Sequence, residues 1–371
     1  MPSNVFSSFP DSLSVFKNEA SLYADFLPDR LPCRENEIQT LALGLRPLIK
    51  ARKAENFFLF GLPGTGKTAI SKFVLKELQE FSSRAKSLYL NCFEYNSRHL
   101  VLAALASFMK CAVPKRGMSS EEIFESVQES LRKSDFYPIL VLDEADQLMH
   151  TGNASTLLYE LLRLPVAHAP VIILISNNPL LLSQLDDRVR SSFFNSSIEF
   201  KSYTPIQLKT ILKERVQFAF RENSVDAEVI NVAAGFAAKN NGDARIAIEA
   251  ILKAGRQAER ENSEKVLLTH LQKILPDISA RQIARAEKSL DPIDKQVLEL
   301  LSKLQPCHSG ILFEQYCLLV KKPLTERQFR SRLNRLAGMH LISLEEKKLE
   351  KRGKTREVKL AIPIEQLTLL L

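Results

Sequence analysis

The octapeptide Gly61-Leu62-Pro63-Gly64-Thr65-Gly66-Lys67-Thr68 stands between an apolar run, Phe57 to Phe60, and a stretch of helical periodicity that begins near Lys67. Few folds accommodate such a segment. Its glycines let successive backbone N–H groups curl into an anion nest whose angles a side chain would oppose. The helix that follows aims unpaired N–H groups and about half a unit of positive charge at the same point. Strand, glycine-rich turn and helix in this order are the setting in which GxxxxGK[ST] cradles a triphosphate. Gly61, Pro63, Gly64, Thr65, Gly66 and Ala69 are therefore expected to surround the phosphates, Lys67 to neutralise the β and γ phosphates, and Thr68 to place its hydroxyl on Mg²⁺. ATP or ADP with Mg²⁺ is the cofactor predicted.

A second segment completes such a site. Ile139-Leu140-Val141-Leu142 is too uniformly apolar for a strand with one wet face, so it reads as a buried strand of a parallel sheet, and it ends in Asp143-Glu144. Ligands of such sheets bind at the carboxyl ends of the strands. Asp143 is expected to hold the magnesium, directly or through water, and Glu144 to polarise an attacking water.

Strands and helices alternate as far as Ile198 to Phe200, which predicts an α/β domain with a parallel sheet over residues 1–202. One helix is expected over Glu35 to Lys53, another over Lys67 to Phe81, and Ser119-x-x-Glu122 is a capping box that opens a third. The pattern changes at Thr204-Pro205-x-Gln207, where an N-cap, a proline at the first helical position and a capping-box partner coincide. Only helical periodicity follows, so residues 203–289 are read as an all-α domain.

Residues 290–371 form a third unit: three helical stretches, then the short strands Ile342 to Glu345 and Glu357 to Ala361 around a basic turn, Lys347 to Thr355. Helices followed by a hairpin describe a winged helix-turn-helix module. Thr325-x-x-Gln328 caps its last helix and Gly338 ends it. Phe329, Leu333 and Leu336 recur at helical spacing and should face the core, which turns Arg327, Arg330, Ser331, Asn334 and Arg335 outward as a major-groove helix would. The wing adds Lys351, Arg352, Lys354 and Arg356, suited to phosphates or a minor groove. Lys321 to Lys359 holds 13 Lys and Arg against 5 Glu, a surplus equal to the +8 of the whole chain. The basic character thus resides in this module, and a polyanion, double-stranded DNA, is the partner it predicts.

Five widely spaced cysteines without a Cys-x-x-Cys pair suggest neither a disulfide framework nor a zinc site. With no apolar run near the roughly 20 residues of a membrane span and no signal-peptide layout at the start, a cytoplasmic, nucleoid or nuclear location is expected.

From about Leu27 to Ala361 these parts resemble the archaeal replication initiators of the AAA+ superfamily, relatives of the origin recognition complex ATPases and of cell division control protein 6. Leu27-Pro28-Asp29-Arg30-Leu31-Pro32-Cys33-Arg34-Glu35 looks like the family segment that lies over the adenine, which implies a nucleotide-binding place for Arg34. Ile173 to Asn178 is similar to the first sensor strand, implying that Asn177 bonds the γ phosphate or the attacking water. Gly242-Asp243-Ala244-Arg245 resembles the second sensor, implying that Arg245 closes the helical lid onto the γ phosphate. Leu185 to Ser192 looks like the segment that lends an arginine to a neighbouring subunit's ATP, with Arg188 favoured over Arg190.

The sequence departs from the family in the insertion between the nucleotide motifs, where residues 96–117 carry only Arg98, Lys110, Lys115 and Arg116 as cations. The lack of a long charged N-terminal tail favours an archaeal source. The resemblance implies an AAA+ core, a helical lid and a winged helix. It further implies a slow ATPase that binds origin DNA and recruits or loads the replicative helicase, with a neighbouring subunit or paralogue as a further partner. A sequence-blind AAA+ motor of clamp-loader type and an ATP-binding DNA-binding regulator are the other readings of the same residues.

Overall fold

The computed structural model describes residues 14–360 apart from 112–116, 151, 153, 194–195, 305, 321–322, 339–340 and 349–353. Five strands, β1 (Phe57–Gly61), β2 (Ala85–Asn91), β3 (Tyr137–Asp143), β4 (Val171–Ser176) and β5 (Ser197–Phe200), make one parallel sheet in the order β2-β3-β4-β1-β5. Alternate residues of the central strands enter two different cores, as side chains of period two require. Ile139, Val141, Ile173 and Ile175 pack with Leu41 and Leu45 of α1 (Glu35–Leu45) and with Val74 and Leu75 of α2 (Lys67–Phe81). Leu140, Leu142, Ile172 and Leu174 pack on the other face with α3 (Arg98–Phe108), α4 (Ser120–Arg132), α5 (Asp146–His150), α6 (Ala154–Leu162) and α7 (Asp187–Arg190). Every residue of β3 and β4 is buried, so the continuous apolar runs follow from two covered faces.

The strand order positions the site. Because β4 lies between β1 and β3, the residue after β4 falls between the glycine-rich loop after β1 and the acidic pair at the end of β3.

Four helices follow: α8 (Pro205–Ala219), α9 (Ala227–Lys239), α10 (Ala244–Arg260) and α11 (Leu268–Ser289). The Thr204 and Gln207 side chains each accept from the other's backbone N–H, the capping box expected. The first described segment packs with these helices rather than with the sheet. Val15, Phe16 and Leu22 are buried in the helical core, Phe16 lies 4.6 Å from Phe220, and Arg215 donates to the carbonyls of Ser21 and Phe26 at 2.9 and 3.3 Å. From residue 14 the described chain therefore runs first along the lid, crosses to α1, and returns at Tyr203.

The last module comprises α12 (Pro292–Leu304), β6 (Cys307–His308), α13 (Ser309–Leu319), α14 (Glu326–Gly338), β7 (Ile342–Lys348) and β8 (Lys354–Leu360). β8 pairs antiparallel with both β6 and β7. Two local departures from the sequence reading have plain causes. The helix expected to reach Lys53 ends at Leu45 and gives way to a 3₁₀ turn, Arg46–Lys50, because Pro47 offers no N–H to continue the α ladder. The wing strands run further into the basic stretch, to Lys348 and from Lys354, which pair with each other.

Candidate functional site

The glycine-rich loop is closed by its own side chains. Gly64 and Gly66 have φ of +72° and +96°, a region that favours glycine, and Gly66 leads directly into α2. Thr65 is fully buried and donates to the carbonyl of Leu62 at 2.8 Å. Lys67 donates to the carbonyls of Gly61 and Leu62 and to Asn177 Oδ1, all at 2.8 to 2.9 Å. Burial lowers its ammonium to about 8, against the pull of Glu144 and Asp143. Thr68 donates to Asp143 Oδ2 at 2.8 Å, so the two residues expected on magnesium already adjoin.

Glu144 follows β3 with φ +54°, a left-handed conformation uncommon outside glycine, and its amide is capped by Asp143 Oδ1 at 2.9 Å. Asn177 Nδ2 donates to Glu144 Oε2 at 2.7 Å. Burial, then the adjacent Asp143 charge, raise the Glu144 carboxyl above its ordinary value, the direction that suits a group handling a water proton. Asp146, one turn on, accepts the Ser176 hydroxyl and so fixes the end of β4 from which Asn177 projects.

Above the loop lies a cleft of about 1320 Å³ between sheet and lid, lined by Pro63, Gly64, Gly66, Lys67, Thr68, Ala69, Asp143, Glu144, Asn177 and Arg245. Leu27, Pro28, Arg30 and Leu31 line it on one side and Ile211, Arg215 and Ile248 on another. Gly61 and Thr65 stand behind this wall and hold the loop. Arg34 does not line the cleft, which departs from the expectation for it. It is 5% exposed, with its guanidinium 4.2 Å over the Tyr203 ring and bonded to Glu37 at 2.6 Å and to the carbonyl of Lys201. A cation able to stack on Tyr203 and meet the carbonyl beside it is retained at the sheet-to-lid junction. Arg245, at the start of α10, donates to both oxygens of Asp243 at 3.1 and 2.7 Å, and that bond holds its guanidinium above the ordinary value.

Arg188 and Arg190 are exposed on α7 and lie outside the cleft of their own chain. Arg190 is paired with Asp187 at 2.7 Å, while Arg188 has no ion pair among the described residues. Arg98, counted among the cations of the insertion, is taken up by Glu160 and Glu121, each at 2.9 Å. Lys115 and Arg116 lie outside the described residues.

In the C-terminal module Phe329, Leu333 and Leu336 are buried, as their spacing requires, and Arg327, Arg330, Ser331 and Asn334 are exposed on α14. Arg330 pairs with Glu326, and Asn334 accepts from Arg356 at 2.9 Å, tying the helix to the wing. Arg335 is exposed as well, and its guanidinium also reaches Asp294 Oδ2 at 3.1 Å. Asp294 is fully buried in α12 and also takes Arg332 at 2.9 Å, so one buried charge pairs with both arginines. Lys351 and Arg352, expected in the wing, lie outside the described residues, and Lys354 opens β8.

Comparison with known proteins fits this geometry. An AAA domain family matches residues 51–185, and the Cdc6 AAA+ ATPase-type lid domain matches residues 209–274. The chain is 32% identical to the ORC1-type DNA replication protein 1 of Sulfurisphaera tokodaii, over 97% of its own length and 94% of that protein. The chain belongs to the ORC1-type DNA replication proteins. The structure of the Aeropyrum pernix ORC1 protein in complex with DNA superimposes with a TM-score of 0.68, at 29% identity over 96% of each chain. The Aeropyrum pernix ORC2 protein, in its ADPNP-ADP complexes, gives a TM-score of 0.78 at 20% identity, covering 96% of this chain and 97% of that one, which is a likeness of fold.

The residues of this ORC1-type protein fit the nucleotide and metal that its AAA domain implies. A left-handed loop, a buried lysine held only by neutral acceptors and a hydroxyl beside a carboxylate are a donor set for phosphate oxygens and a hard cation. Two participants escaped the sequence reading. The Tyr89 hydroxyl, on β2, donates to Asp143 Oδ2. Burial and that carboxylate push its phenol far above the ordinary value, so it remains a donor. Tyr203 stands so near Gly66 that a Cβ there would lie 2.8 Å from its hydroxyl. Neither has a motif: only the pairing of β2 with β3 and the return of the chain after β5 bring them to the site.

Proposed function

We propose that this ORC1-type protein is an ATP-controlled initiator that binds double-stranded origin DNA through its winged helix and recruits or loads the replicative helicase. The observation that carries the reading is the union, in one chain, of a complete phosphate and acid constellation with a winged helix that exposes Arg327, Arg330 and Ser331 on one helix. The DNA complex of the Aeropyrum pernix ORC1 protein supports it.

ATP with Mg²⁺ would supply a cleavable γ phosphate and the charge that neutralises its oxygens. Lys67 would hold the phosphate oxygens in place of its carbonyl and Asn177 partners, and Thr68 and Asp143 would hold the cation. Glu144 accepts a proton from the attacking water while Asn177 fixes its carboxylate. Arg245 ties α10 to the γ phosphate, so the angle between sheet and lid depends on nucleotide state. Arg188 serves a neighbour's site, and hydrolysis in an isolated protomer is slow. Hydrolysis then resets the conformation after loading rather than driving continuous work.

Chromatin immunoprecipitation read against a replication profile tests the proposal. Enrichment at one or a few sites that coincide with replication peaks is the expected result. Sharp enrichment away from the peaks would identify a regulator, and diffuse binding a sequence-blind motor.

A further inference from the structure

We propose that Asp243 is an intramolecular competitor for Arg245 and thereby sets how strongly this protein prefers ATP to ADP. The inference rests on the reading that Arg245 meets the γ phosphate.

Asp243 is 8% exposed, caps α10 by accepting from the Arg245 amide at 2.8 Å, and takes the same residue's guanidinium on both oxygens. Its carboxylate lies against the phosphate loop, where a Cβ added to Gly64 would fall 1.7 Å from Oδ1. The amide of Ala244 donates to the Gly64 carbonyl at 3.2 Å and holds the two segments together. A negative charge is thus fixed beside a loop built for a polyanion, and the cation that offsets it is the one required by the γ phosphate. Arg245 must exchange one anion for the other, so part of its interaction with ATP is consumed in leaving Asp243. ADP has no γ oxygens, and with ADP bound the arginine stays on Asp243. The lid therefore keeps its latched arginine until a triphosphate draws it off.

Asp243→Asn separates this role from simple capping, because Asn caps a helix as well as Asp does but carries no charge. Affinities of fluorescent ATP and ADP analogues are measured on the full chain for wild type, D243N, R245A and the double variant. Asp243→Ser serves as a second charge-free cap, and thermal unfolding without nucleotide checks that each variant folds. The expected result is that D243N raises the ratio of ATP to ADP affinity about 5- to 10-fold and that the gain disappears in the R245A background, a coupling of ordinary size for linked sites. An unchanged ratio in both D243N and D243S, or a gain that persists without Arg245, overturns the proposal. If R245A itself leaves the ratio unchanged, the γ-phosphate reading of Arg245 falls with it; if R245A lowers the ratio and D243N does not raise it, only the role of Asp243 falls.

Discussion

Lys67 Nζ donates to Asn177 Oδ1 across 2.9 Å and so joins the helix after β1 to the loop after β4. The same Asn177 turns its amide nitrogen to Glu144 Oε2 at 2.7 Å, and one side chain therefore contacts both Lys67 and Glu144, the proposed base. Replacing the base alone should separate binding from chemistry. Glu144→Gln keeps a side-chain oxygen and the length of the residue but cannot accept the proton, so single-turnover hydrolysis is expected to fall about 10²- to 10⁴-fold while ATP affinity changes little. Asn177→Ala should slow hydrolysis as well, through a misdirected Glu144. Quench-flow hydrolysis beside equilibrium ATP binding measures both, and a wild-type rate in Glu144→Gln would remove Glu144 from the role of base.

Arg188 is exposed, outside its own chain's cleft and without an ion pair among the described residues, whereas Arg190 is held by Asp187. An arginine that serves a neighbour should matter only when protomers meet. Arg188→Ala is expected to leave ATP affinity and thermal stability of the isolated protomer unchanged, and to abolish any rise of specific activity with protein concentration or with DNA. The loss in the assembled state should be about 10³-fold or more. Hydrolysis measured across a protein titration decides between the arginines: loss with Arg190→Ala and not with Arg188→Ala would reverse the assignment.

Much of the site was legible because its parts are local. The loop from Gly61 to Thr68 and the acidic pair after a buried strand each announce themselves within ten residues, and the capping boxes at Ser119, Thr204 and Thr325 fixed three helix starts. What escaped was non-local. Tyr89 lies in an edge strand with ordinary composition, and only the β2–β3 register brings its hydroxyl to Asp143. Residues 14–26 fall within the stretch 1–202 expected to form the α/β domain, yet Val15, Phe16 and Leu22 complete the core of the lid, because apolar burial follows spatial neighbours and not chain order. Arg335 is exposed at an outward helical position, but its ion pair is with Asp294, a buried charge about 40 residues away that periodicity does not register.

That buried charge should contribute to the stability of the C-terminal module. Asp294 is fully buried and shared by Arg332 and Arg335, and Asp291 accepts Arg332 beside it. Removing Asp294 breaks its bonds to both arginines, but Asp291 and solvent still compensate their charge, so Asp294→Ala is expected to cost about 1–3 kcal/mol, seen as faster hydrogen exchange through α12 and α14. Acid should act in the same direction. Partial burial pushes the Asp291 carboxyl up, but Arg332 and the Asp294 amide outweigh it and hold the carboxyl below its ordinary value. A carboxyl lowered by folding adds stability above the unfolded value of about 3.9 and loses it as pH falls through the folded one. Protection in α12 and α14 should therefore decline below about pH 4, and Asp291→Asn should flatten that decline. Equal exchange in Asp294→Ala and wild type would show that the arginines find other partners.

Recognition of DNA should divide between the helix and the wing. Arg327, Arg330 and Ser331 are exposed on the face of α14 opposite Phe329, Leu333 and Leu336, whereas Arg356 rises from β8 and donates to Asn334. A side chain that reads a base edge loses discrimination when removed, and one that meets a phosphate loses affinity on every sequence alike. Arg330→Ala is expected to cost about 1–3 kcal/mol on the preferred site and much less on random duplex. Arg356→Ala should weaken both by the same factor and reduce the salt slope by about one phosphate contact. Because Arg330 is already paired with Glu326 at the surface, Glu326→Ala serves as a control: it frees the guanidinium and should strengthen binding slightly on both duplexes. Anisotropy titrations of both duplexes at several salt concentrations read these effects together. Equal losses on both sequences for Arg330→Ala would assign that residue to the phosphate backbone and leave Arg327 and Ser331 as the base-reading side chains of α14.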